Sequence, residues 1–379
     1  MKFAPWLLLW PIPLMAATTT GWIGTYTSDE GHTTGSSGIY SFHWDTGNGH
    51  LSEIRLAGKT SNPSFLALHP NGRYLYAVNE DSATAGTDRI TAFSIGAPAQ
   101  PLQELGSVSS QGVSPCHLVV DSTGKWLFVA NYTSGTIAVY PIGADGRLGQ
   151  AHQTIQQRGS GPVTGHQESA HAHEVVQSPD GRFLLVTDLG ADKVFVYRFD
   201  VASGTLSPNN PAASVLPAGY GPRHMVFSKD AKLAYVLTEL KSAVVTLRWN
   251  SQLGTLTQVA LTPALPTGTK GEQSGAEIAL HPNGQFLYTS SRGDSNTITI
   301  FRIGPDGVPV VTGNVPSGGR EPRYFGLDPS GKFVIAANQV TNDLFTFRID
   351  PTSGALSRIG DRVPVPAPVH LLFAPSQSH

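Results

Sequence analysis

The chain has 379 residues, of which 40% are hydrophobic and only 14% charged, and its formal net charge is -2. That length supports a large buried core, and near-neutrality without a basic run excludes nucleic acid and anionic membranes as general partners. The 41 glycines and 28 prolines suit many short strands joined by tight turns, and no long stretch has apolar residues at helical spacing.

In chain order, the first feature is Lys2, an apolar run over 3–15, and the small residues Ala16 and Ala17. This is the order of a secretory signal peptide. The run carries Pro11 and Pro13 and is too short to span a bilayer comfortably. Residues 1–17 are therefore expected to be removed, leaving 18–379 as a single secreted or periplasmic domain; without processing the protein would be cytoplasmic. No later segment reads as a membrane span. Short strands are expected over 22–27 and 38–42.

Six copies of one twelve-residue motif follow, at 69–80, 121–132, 178–189, 228–239, 281–292 and 328–339. Five carry Gly at the fourth position (Gly72, Gly124, Gly181, Gly284, Gly331) and Ala231 replaces it in the remaining copy. Glycine there supplies the positive φ of a tight hairpin turn. Apolar runs precede the turn (65–68, 117–120, 224–227), and a third strand follows (137–140, 193–197, 297–301). A Gly-x-Leu turn, as at Gly146, Gly204, Gly254 and Gly354, then leads to a fourth. Units of about 50 residues with four short strands are propeller blades. Residues 368–375 read as the first strand of a seventh blade whose second and third strands are 22–27 and 38–42. The expected fold is all-β, a seven-bladed β-propeller whose ring is closed by pairing the N- and C-terminal strands in one blade, which leaves no open edge.

Cys116 is the one cysteine, so no intramolecular disulfide can form; it reads as a small buried strand residue. Asn131 and Thr133 form a glycosylation sequon, expected to be unused because a glycan at an inner strand end would crowd the channel mouth.

Aligned on their turns, the copies differ in three polar columns. The first reads Phe65, His117, Glu174, His224, Glu277, Tyr324, His370. One residue earlier stand Ser64, Cys116, His173, Arg223, Ala276, Arg323, Val369. The ends of the second strands give Glu80, Tyr132, Leu189, Glu239, Arg292, Gln339. Equivalent positions around a ring converge on its axis, where polar groups in a low-dielectric funnel need a ligand, water or one another.

His171, His173 and Glu174 ahead of the turn at Pro179, the Gly221-Pro-Arg-His224 run followed by Glu239, Gly275-Ala-Glu-Ile278, Ser291-Arg-Gly293 and the Glu321-Pro-Arg-Tyr-Phe325 run carry a resemblance to a known family. Nearly the whole chain beyond residue 17 resembles the lactonase family of seven-bladed propellers, which includes 6-phosphogluconolactonases and muconate-lactonising enzymes. The resemblance implies hydrolysis of a sugar-type lactone, or binding of a related carboxylate. The histidines lack metal-ligand spacing apart from the His171-x-His173 pair, so a metal-independent, cofactor-free monomer is expected. The resemblance implies His173, Arg223, Glu239 and Arg292 as catalytic residues. His171 competes for the place of His173, and Arg323 for that of Arg292. Glu80, His117, Glu174, His224, Glu277 and Arg323 are the expected substrate-binding or ligand-positioning groups. Glu239 or His173 would activate water, with the arginines on the developing oxyanion. The absence of a Gly-x-Ser-x-Gly elbow disfavours an acyl-enzyme. A muconate-type cyclase and a non-catalytic binding propeller are the alternatives.

Overall fold

The computed structural model describes residues 18–29, 32–81, 88–97 and 100–374; the expected signal peptide lies outside them. Seven four-stranded antiparallel sheets form the blades. In order of their inner strands, blade I begins at Leu66–Leu68, II at Pro115–Val120, III at Ala172–Gln177, IV at Pro222–Phe227, V at Gln273–Leu280, VI at Pro322–Leu327 and VII at Pro368–Phe373. Each inner strand neighbours the next, and blade VII returns to blade I. In blade VII, Pro368–Phe373 pairs with Thr18–Thr25, which pairs with Gly38–Asp45 and then His50–Lys59. The two ends of the chain therefore share one sheet and close the ring. Among the described residues there is no α-helix, and none that could cross a membrane.

The core lies between blades rather than at one centre. Tyr76, Val78, Leu127 and Val129, for example, pack blade I on blade II with no exposed surface. Strand periodicity produces this directly, since alternate residues face opposite neighbours. The turn glycines of the repeat all have positive φ (69–76°), and Ala231 is held at φ 55 in the same turn.

The Gly-x-Leu turns have a second reason for glycine. Gly146 sits on the ring of Tyr74, Gly204 on Trp126, Gly254 on Phe183, Gly354 on Phe286 and Gly49 on Phe333. In each case the outer hairpin of one blade covers the residue that opens the second strand of the preceding blade. Gly307 makes the same contact with Leu233. A Cβ at any of these glycines would overlap the partner side chain.

The strand-end Asn131 is fully buried, and its amide nitrogen donates to Ser110 O and Thr136 Oγ1 at 3.0 Å each. The fold leaves no room for a glycan on it.

Two stability outcomes follow from these turns. Gly254→Ala would drive a methyl into the buried Phe183 ring at φ 66 and is expected to lower unfolding free energy by about 2–4 kcal/mol. Ala231→Gly relieves a left-handed alanine against a greater entropy loss, for an expected gain of about 0.5–1 kcal/mol. Urea midpoints at unchanged m-value test both.

Candidate active site

Consecutive residues of a regular strand point to opposite faces, yet two adjacent columns of side chains reach the axis. A β-bulge in the inner strand explains this. Register breaks around Cys116 in blade II, His173 in III, Arg223 in IV, Ala276 and Glu277 in V, Arg323 in VI and Val369 in VII. Bulges re-aim side chains and leave a residue unpaired, so Arg223 and His224 both project inward.

The first column forms a floor that closes the channel. The Phe65 ring lies 4.1 Å from that of His117 and 3.9 Å from that of His370, and Tyr324 is 4.4 Å from His370. His224 Nδ1 is 2.9 Å from Glu277 Oε2, and Glu174 Oε2 accepts the Met225 N–H at 2.6 Å. Glu174 Oε1 stands 3.6 Å from His117 Nε2. Burial, and for Glu174 the competing Glu277 carboxyl nearby, push both carboxyls up, Glu277 to about 8. Burial and Arg223 push His117 down to about 3 and His224 well below the usual histidine range. The floor is thus a layer of neutral acids and neutral imidazoles.

Above it lies the charged layer. Glu239 Oε2 accepts from Arg223 Nε at 2.9 Å, and its Oε1 is 3.1 Å from Arg292 Nη2. Arg292 also donates to Ser274 Oγ at 2.7 Å, and Arg223 to the carbonyl of Ala276. His173 Nε2 is 3.8 Å from Glu239 Oε2. Burial works against the Glu239 charge, but Arg292, Arg223 and Arg323 outweigh it and hold the carboxyl below the usual range. Burial followed by the same three arginines pushes His173 well down, so it is neutral. Burial and Arg292 bring Arg223 to about 10, still charged at neutral pH.

On the opposite wall Glu80 accepts from Tyr26 Oη at 2.7 Å and Ser64 Oγ at 2.5 Å, with Arg323 Nη2 3.9 Å away. Arg323 lies over the Tyr26 ring at 5.3 Å. Glu80, Cys116, Tyr132, His173, Glu239 and Arg323 enclose a cavity of about 180 Å³. A void of about 10 Å³ continues toward Phe65, His224 and Tyr324.

The structure thus brings His173, Arg223, Glu239, Arg292, Glu80 and Arg323 together. His117, Glu174, His224 and Glu277 lie one layer deeper, in the floor, where His224 borders the smaller void. His173, and not His171, lines the cavity. His171 stacks on Tyr132 at 4.7 Å and its Nδ1 is 3.0 Å from the Tyr132 carbonyl, so it steadies a wall residue. Cys116 is buried, its thiol pushed up by burial, and Sγ donates to the His173 carbonyl at 3.2 Å, a poor setting for a nucleophile. Among the described residues no group of three or more His, Cys, Asp or Glu is placed to hold a metal ion.

Tyr26 was missed. It follows the second strand of blade VII, where Thr25 pairs with Pro368 as Asn131 pairs with Pro115. It is the seventh member of the column that holds Glu80, Tyr132 and Glu239, and carrying that column across the chain ends would have found it.

Glu239 binds two arginines, so its removal costs stability. Glu239→Gln is expected to destabilise by about 3 kcal/mol at neutral pH. A carboxyl with a lowered folded pKa contributes above its unfolded value of about 4.3 and loses that contribution as pH falls through the folded value. The deficit of the variant should therefore shrink below about pH 4, read from denaturant unfolding in acid.

The profile of the family described as "Lactonase, 7-bladed beta-propeller" matches residues 20–373. A 6-phosphogluconolactonase of Bacillus subtilis is 33% identical over 93% of this chain and 97% of its own. One from Formosa agariphila is 32% identical over 89% of this chain and 94% of its own. The solved structure of a periplasmic gluconolactonase from Pseudomonas aeruginosa superposes with a TM-score of 0.88 at 33% identity, covering 95% of this chain and 100% of that one. The chain belongs to the lactonase family of seven-bladed β-propellers.

Proposed function

We propose that this protein hydrolyses a sugar-type lactone in the axial cavity, opening the ring to the free hydroxy acid. The observation that carries this reading is the ionised Glu239 held between Arg223 and Arg292 beside a neutral His173. Hydrolysis of a cyclic ester needs a base for water, a cation for the oxyanion and an acid for the leaving alkoxide. The cavity, about 180 Å³, suits a single six-carbon sugar better than a disaccharide.

The lactone carbonyl oxygen is placed toward Arg292 and Arg223. As Arg292 turns from Glu239 Oε1 to that oxygen, the carboxylate loses part of its neutralising charge and gains basicity. Glu239 and His173 Nε2 then flank the attacking water. Its proton passes to one of them as the new C–O bond forms. The arginines hold the tetrahedral oxyanion, a fork geometry for which Lys is no substitute. Collapse breaks the ring C–O bond, and the stored proton goes to the departing ring oxygen. Glu80, Tyr132 and Arg323 face the cavity from the other side and bind the ring hydroxyls.

The relatives' names support this chemistry: 6-phosphogluconolactonase on one side, periplasmic gluconolactonase on the other. The apolar run after Lys2 and the periplasmic relative together favour action outside the cytoplasm, where the unphosphorylated lactone is the more accessible substrate.

Acid release from δ-gluconolactone, its 6-phosphate and simple γ-lactones, followed by pH-stat on the protein from Thr18 onward, tests the proposal. Enzyme-dependent release is expected for a sugar lactone, with Arg223→Ala and Glu239→Ala each losing about 10²–10³ in kcat. No release above the spontaneous rate from any of them would reject hydrolysis and favour a binding propeller.

A further inference from the structure

Beneath the charged layer runs a chain of buried contacts that the hydrolysis itself does not use. Glu277 and His224 are 7% and 4% exposed. Glu277 Oε1 accepts the Ile278 N–H at 3.0 Å, and Oε2 faces His224 Nδ1 at 2.9 Å. On the other side of that ring, Arg223 Nη1 is 3.5 Å from Nδ1 and 3.4 Å from Nε2. Near-equal distances to the two nitrogens put the guanidinium over the face of the imidazole, not in its plane. The same Nη1 donates to the carbonyl of Ala276, the residue next to Glu277. Arg223 is therefore held from two directions, by His224, which Glu277 backs, and by the Ala276 carbonyl.

We propose that Glu277 is a positioning residue for Arg223: as an uncharged acid it donates its proton to His224 Nδ1, and the neutral imidazole so fixed is the platform from which Arg223 reaches Glu239 and the substrate. The proposal rests on the hydrolysis reading for its catalytic consequence, though not for the state of the acid.

The surroundings agree with a neutral pair. Burial carries Glu277 up to about 8, with Arg223 opposing. Burial and then Arg223, His173 and His117 hold His224 well below its ordinary range. The other titratable groups in this layer are Glu174 from blade III, raised by burial and by Glu277, His117 from II and His370 from VII, both lowered by burial, and Tyr324 from VI, raised by burial. Arg223 and, farther off, Arg323 are the cations that face the pair. Above about pH 8 the pair loses its proton. A carboxylate then stands under the guanidinium and competes with Glu239 for it.

One arm of the test needs no activity. An unfolded glutamate loses its proton near about pH 4.3, whereas Glu277 in the fold keeps it to about 8. Between these values the native state binds the extra proton, so its stability falls as pH rises through that window and levels off above it. Urea unfolding of wild type and Glu277→Gln should show the variant gaining on wild type across the window. A pH-independent difference would overturn the uncharged acid. The second arm is kcat/KM against pH. Wild type should decline on the alkaline side with an apparent pKa near about 8. Glu277→Gln, whose amide can donate to the same Nδ1, should stay within about threefold at neutral pH and lose that decline, while folded Glu277→Ala drops roughly tenfold in kcat. A Gln variant that keeps the alkaline decline, or that falls as far as Ala, would overturn the positioning role. Should wild type hydrolyse no lactone, the hydrolysis reading fails, and the unfolding arm still decides whether Glu277 is carried as an acid.

Discussion

Every feature of the site depends on the antiparallel pairing of Pro368–Phe373 with Thr18–Thr25. Without it the ring has two free edges, and nothing fixes the distance between blades VI and I. The pairing seats His370 against Phe65 and Tyr324, which completes the floor. It also delivers Tyr26, whose backbone N–H bonds the Ala367 carbonyl and whose hydroxyl bonds Glu80. A contact between residues more than 300 positions apart is therefore the condition for a wall of the cavity and for its base. The entropic penalty of closing so long a loop grows only with the logarithm of its length, and the interblade core formed by Ile23, Phe42, Trp44 and Leu371 with Phe333 and Ile335 outweighs it.

The blades were legible in the sequence because each carries the same local physics: a positive-φ turn, a period-2 strand and a glycine before the fourth strand. The polar columns were legible because they break a repeat that the strands otherwise preserve. What the sequence could not display was the inner-strand bulge. In a regular strand His173 and Glu174, or Arg223 and His224, would face opposite sides, and the two columns could not both be axial. Their separation into a charged layer and a neutral floor is a consequence of that bulge, and it explains why Glu277 and His224, adjacent in sequence logic to the arginines, lie beneath the cavity rather than in its wall. Tyr26 escaped because its blade is split between the chain ends. The turn at Ala231 was visible as a departure from glycine, but its retained left-handed φ is a property of the flanking strands that hold it.

The two layers support each other electrostatically. The floor removes water and lowers the local dielectric, which strengthens every interaction of the arginines above. The same burial would make unpaired charges in the floor costly, and its acids and imidazoles are neutral accordingly. The field of the charged layer is thus directed upward into the cavity and is not spent on counter-charges below.

Within the charged layer, three arginines face two carboxylates, Glu239 and Glu80. Under the proposed mechanism a neutral lactone would gain little from that single excess positive charge in the ground state, whereas the oxyanion developing on attack would gain the most, which is the condition for raising kcat rather than merely tightening binding. The product is itself a carboxylate. Three unopposed arginines would retain it, and slow release would then limit turnover. In the proposed mechanism Glu239 and Glu80 would reclaim their arginines as the product leaves, so the pairing that holds the site together would also set how readily it empties.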